Sequence, residues 1–101
     1  MANTAKVLFR GAATTNTATT LYTVPSATTT VVTSIGITNT ASSEGTFTLS
    51  LGGVNFGTTV AIPANDSILI DLKQVLVATN TISGGASATT INFHISGVEI
   101  A

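Results

Sequence analysis

Apolar and polar residues alternate along much of the chain. Residues 46–51 read Thr-Phe-Thr-Leu-Ser-Leu. In an extended strand this puts Phe47, Leu49 and Leu51 on one side and Thr46, Thr48 and Ser50 on the other. Gly52-Gly53 follows, and apolar residues return over 54–60. Two glycines between alternating runs predict a tight hairpin, because the two-residue primed turns need positive φ. Pairing Leu51 with Val54 also pairs Leu49 with Phe56. That register gathers Phe47, Leu49, Leu51, Val54 and Phe56 on one core-facing side.

Other runs follow the same period. Residues 5–10 and 19–24 read as short strands, the second stopped by Pro25, which has no N–H to give a ladder. Residues 29–39 form a third, with Val31, Thr33, Ile35 and Ile37 on one face. After turn chemistry at 62–66, residues 67–72 place Ile68, Ile70 and Leu72 on one side and Leu69 and Asp71 on the other. Residues 73–77 fit a helical turn or a strand. Residues 79–83 and 88–100 flank Gly84-Gly85, which reads as a turn. In the last run Ile91, Phe93 and Ile95 face one way. Val98 and Ile100 then break the phase, and a bulge near Gly97 would restore it.

Thr, Val and Ile, which crowd χ1 in a helix and suit a pleated sheet, recur throughout. No stretch keeps a 3.6-residue apolar period. About eight short strands with turn signals roughly every ten residues predict an all-β sandwich or barrel. No long fixed period suggests a solenoid.

Composition changes the picture in one respect. Length predicts one domain over residues 1–101. Charged residues are only 7% of the chain, against about 25% in a typical domain. They are Lys6, Arg10, Lys73, Glu44, Asp66, Asp71 and Glu99, with a net charge of −1. So little repulsion favours association. The apolar residues Val32, Leu69 and Val77, opposite Val31, Ile68 and Leu76, point the same way, because a two-layer sandwich has only one interior. The absence of cysteine excludes disulfides and thiolate metal sites. The opening residues show no leader-like order of charge and apolar run. No window approaches the roughly 18 apolar residues of a membrane helix, and no basic patch supports nucleic-acid binding.

Candidate chemistry is sparse. His94, the one histidine, shares a strand side with Asn92 and Ser96, and without clustered carboxylates it makes a poor metal site. Ser96 is two residues away, with Glu99 the nearest acid in sequence, but no nucleophile elbow or oxyanion hole accompanies them. Asn65, Asp66 and Asp71 carry oxygen ligands without calcium-loop spacing. Asp66 in a turn more often bonds its own backbone. Asn65-Asp66-Ser67 matches the glycosylation sequon, a short pattern that chance also gives. The Thr-x-Thr triplets at 15, 38, 46 and 79 are irregularly spaced and read as solvated strand faces. Lys6 and Arg10 share a side around Leu8, either to meet an acidic partner or to guard an edge strand. No catalytic, cofactor-binding or metal residues are expected, and the chain is expected not to be an enzyme.

Two segments carry a resemblance. Thr20-Leu21-Tyr22-Thr23-Val24-Pro25-Ser26 is followed by residues 30–40, Thr-Val-Val-Thr-Ser-Ile-Gly-Ile-Thr-Asn-Thr. Together they resemble the opening of small virion structural proteins of tailed bacteriophages. Residues 62–66, Gln74-Val75-Leu76, Ile82-Ser83 and the closing run 95–100 look like the second half of the same family. The resemblance implies a jelly-roll-like antiparallel β-sandwich, often a homotrimer, seated on a capsid as a decoration or cement protein. It implies a virion location, synthesis in the host cytoplasm, the major capsid protein as partner and no cofactor. It carries over no functional residue. A tail or fibre module that binds a host surface glycan is the alternative. Glycan clefts usually offer aromatic platforms, and this chain has no Trp, with Tyr22 its one exposed-type aromatic.

Overall fold

The computed structural model describes residues 3–101, and every regular element in them is a strand. In chain order these are β1 (Asn3–Ala12), β2 (Thr20–Thr23), β3 (Thr29–Asn39), β4 (Gly45–Leu51), β5 (Val54–Ile62), β6 (Ser67–Leu76), β7 (Thr81–Ala86) and β8 (Ile91–Ile100). The ambiguous stretch after Leu72 continues β6 as far as Leu76.

Two four-stranded sheets run β1-β8-β3-β6 and β2-β7-β4-β5. All pairings are antiparallel. The pairs β1–β8, β2–β7, β3–β6 and β4–β5 are nested, so the first half of the chain folds back along the second as one long hairpin. Its successive rungs fall alternately in the two sheets. This is the jelly-roll-like β-sandwich expected. Val32, Ile35, Ile37, Ile91, Phe93 and Ile95 from one sheet meet Phe47, Leu49 and Ile82 from the other, all buried. The Phe47 and Phe93 rings meet edge to face across the interior, 6.3 Å apart at 76°.

Bulges overturn several of the face assignments. In β3, Val32 pairs with Gly97 but Ser34 already pairs with Ser96, leaving Thr33 extra. The phase therefore flips at Thr33. Val32 is buried and Val31 turns outward, the reverse of the sequence reading, while Ile35 and Ile37 face the core. In β1, Leu8 is extra between Val7 and Phe9. Lys6 and Arg10 consequently stand on opposite faces and do not share one. No bulge at Gly97 resets β8, which keeps strict alternation. Ile91, Phe93, Ile95, Gly97 and Glu99 face inward, and Val98 and Ile100 face outward. Gly97 is needed where it lies, because a Cβ there would be driven into the carbonyl oxygen of Val31.

Gly84-Gly85 is not a turn. Both glycines are buried inside β7, where a side chain on Gly84 would strike the carbonyl oxygen of Thr48. A Cβ on Gly85 would sit 2.7 Å from that of Thr14. Close backbone approach, which the missing Cβ permits just as it permits the positive φ of a turn, selected glycine here. The Gly52-Gly53 hairpin forms as expected, with φ of 60° and 81° and Leu51 opposite Val54. Its register then slips. Leu49 pairs with Gly57 rather than Phe56, and a second irregularity at Thr58 and Thr59 precedes the pairing of Phe47 with Val60. The core expectation fails for half of the hairpin: Val54 is 71% exposed and Phe56 39%.

Candidate functional site

The residues singled out for chemistry are not brought together. His94 is exposed on the outer face of β8, between Arg10 of β1 and Gly36 of β3. Ser96 lies on the same outer face, opposite Val7 and Ser34. Glu99 points to the other face of the sheet, so Ser96, His94 and Glu99 cannot act as one unit. Asp66 accepts a 2.8 Å hydrogen bond from the Ser67 N–H and completes its own turn, beside Asn65 with φ of 54°. Asp71 stands farther along β6 on the outer face. Among the described residues no cluster of three or more His, Asp or Glu side chains could hold a metal ion.

Glu99 has a role that no local pattern marks. Its carboxylate accepts hydrogen bonds from the Tyr22 hydroxyl, reaching across from β2, and from the Lys6 Nζ at 3.3 Å. The Tyr22 hydroxyl is also 2.9 Å from the hydroxyl of buried Thr30. The Tyr22 hydrogen bond, with Lys6 adding to it, holds the Glu99 carboxyl below the usual carboxylate range. Burial, then the neighbouring carboxylate, push the Tyr22 hydroxyl above its ordinary value. This set of side chains ties the two sheets together along the edge formed by β1 and β2. Tyr22 is turned inward and is not an exposed ring. Residues 93 apart in the chain carry no local signal of such a pairing.

At the opposite edge, among the described residues, the side-chain tie between the sheets lies at one end, where the buried Asn39 amide of β3 donates to the Ile62 carbonyl oxygen of β5 at 3.2 Å. β5 has only β4 as a neighbour, and β6 only β3. Among the described residues, six of the seven exposed large apolar side chains lie on these two strands or just beyond: Val54, Phe56 and Val60, and Leu69, Val75 and Val77. A cleft of about 150 Å³ opens between them, lined by Leu51, Val54, Asn55, Phe56 and Gln74. Leu69 and Val77, which the alternation sets off the core face, are both exposed.

The outer face of the β1-β8-β3-β6 sheet is creased where the bulges line up. Thr33 lines two shallow depressions there. One, of about 590 Å³, is shared with Asp71, Leu72 and Lys73. The other, of about 410 Å³, has Ala5, Lys6, Val7, Ser96, Gly97 and Val98. Neither contains an aromatic ring.

No family model matches the chain, and no curated protein matches it. Among solved structures it is similar to a pentameric capsid protein isolated from metagenomic phage sequences, at 20% identity and a TM-score of 0.28. That likeness covers 90% of this chain and 59% of the other, so the chain spans less than two thirds of that protein's length.

Proposed function

We propose that the chain is a non-enzymatic structural protein of a phage virion. In this reading it decorates the outer surface of the capsid and reinforces the shell. It works as a homo-oligomer, taken as a trimer from the family resemblance, with the major capsid protein as its second partner. The observation that carries the reading is the surface. Only 7% of residues are charged, and large apolar side chains cluster, exposed, along one edge. Such a patch on a small domain marks contact with protein. A jelly-roll-like sandwich resting on neighbours by an edge or a face suits this use.

The glycan-binding alternative would use the creased outer face, which offers Asp71, Thr33 and Ser96 as polar groups. It has no aromatic platform, since Tyr22 is engaged inside and Phe56 lies at the other edge. Electron microscopy of phage capsids stripped of small surface proteins and incubated with the purified chain tests the proposal. Added density at fixed lattice positions is the expected result. Bare capsids, with density only on tails or fibres, would overturn it in favour of the alternative.

A further inference from the structure

We propose that the free edge of β6 pairs with β6 of a second copy, antiparallel, about a two-fold axis through Leu72. The contact deepens the self-association just proposed and rests on it, but it does not depend on the capsid. β6 alternates from Ser67 to Lys73, with odd-numbered residues outward and even-numbered residues half-buried; Gln74 is exposed beside Lys73 and Val75, where the pairing with β3 shifts register between Asp71 and Gln74. Its only ladder is with β3, so the N–H and C=O groups on its other side are unpaired. An edge of this kind is a template for another strand.

The side chains select which strand. β6 carries two charges, Asp71 and Lys73, one residue to either side of Leu72. Both line the same outer depression. An antiparallel two-fold centred on Leu72 sets Asp71 of each copy opposite Lys73 of the other. The same register sets Leu69, 80% exposed, opposite Val75, 63% exposed. Directly opposed residues of an antiparallel pair lie on one face, and opposite charges or apolar partners there are favourable. Lys73 by itself would guard the edge; with Asp71 in mirrored position it admits a copy of the same strand.

The size of the edge fits as well. A ten-residue strand runs about 33 Å, and the two shorter dimensions of the molecule are 21 and 18 Å. The whole edge, β6 with β5 beside it, offers a strip of roughly 650 Å² per copy, near the ~800 Å² per partner of a standard interface. The contact is isologous and saturates at two copies. A trimer built through another surface would be joined by it to a neighbouring trimer.

The test is light scattering coupled to size exclusion on the full chain and its charge variants. Asp71→Lys alone sets like charges opposite each other twice per contact, and so does Lys73→Asp. Each should weaken the contact roughly tenfold or more, since opposed like charges are strongly unfavourable, and should halve the wild-type mass. The double swap Asp71→Lys/Lys73→Asp should restore that mass. An equimolar mixture of the two single variants should form the mixed pair, because every opposed pair is then of opposite sign. Wild-type mass retained by both single variants would overturn this surface while leaving self-association standing. A wild type of 10.1 kDa at every concentration would overturn the contact and the self-association together. Circular dichroism confirms that each variant keeps its sheet, and loss of the sheet in single variants but not in the double swap would also refute the pairing.

Discussion

β4 and β5 form one hairpin, alternate equally well in sequence, and meet opposite fates. Phe47, Leu49 and Leu51 of β4 are buried, whereas Val54, Phe56 and Val60 of β5 are exposed. The difference is position in the sheet. β4 lies between β7 and β5, with β7 so close that Gly84 rests against Thr48 and Leu49. β5 is the last strand, beyond the cover of the opposing sheet, and it is loosened further by irregular pairing at Phe56 and at Thr58-Thr59. Alternation tells which side of a strand is apolar. It does not tell whether anything lies against that side.

The sharpest way to break this comparison is to truncate the two phenylalanines. Phe47 is buried and touches Phe93 across the interior. Phe47→Ala should cost about 3–5 kcal/mol, as for other buried aromatics. Phe56→Ala, measured at a dilution where copies are apart, should cost less than about 1 kcal/mol. Urea denaturation of both variants gives the two numbers, and comparable losses would mean that β5 is as well covered as β4.

The same contrast explains what could be read in advance. The strand count, the sandwich class, the Gly52-Gly53 turn and the buried runs of β4 and β8 were all legible, because each is set by local period or turn chemistry. The faces of β1 and of the first half of β3 were not. A single extra residue, Leu8 or Thr33, inverts everything before it, and nothing in either sequence run marks the place. Gly84-Gly85 misled because glycine alone meets two different demands, the positive φ of a turn and the missing Cβ of close packing. The Lys6–Glu99–Tyr22 set was invisible because its members meet only after the long hairpin has wound.

That set also makes the β1–β2 edge the counterpart of the open one, and acid should loosen it. Glu99 has a lowered pKa in the folded chain. Its contribution to stability is therefore fully present above the unfolded carboxylate value of about 4.3 and is lost as pH falls through the folded value. Tyr22→Phe removes one hydrogen bond to a charged group, an effect of about 1.5 kcal/mol at neutral pH. The gap between wild type and variant should narrow as pH falls below the unfolded carboxylate value and through the lowered folded one. A gap that is constant from pH 7 to pH 3 would show that the hydroxyl acts through Thr30 and not through the carboxylate.

The smallest effect falls on the open side. Val54 is directly opposite buried Leu51, yet is itself 71% exposed. Val54→Thr keeps the β-branched shape that suits a strand and exchanges one methyl for a hydroxyl. At a buried site that exchange would strand a polar group and cost 1–3 kcal/mol. At an exposed one water satisfies the hydroxyl, and the change should stay within about 0.5 kcal/mol. The measurement separates two explanations of the apolar edge. In dilute solution, with copies apart, a near-zero effect means that nothing in the chain covers Val54 and that its apolar character serves contact with another molecule. A loss above about 1.5 kcal/mol would mean that β5 closes over the cleft lined by Leu51 and Gln74, and that the edge belongs to the fold rather than to assembly.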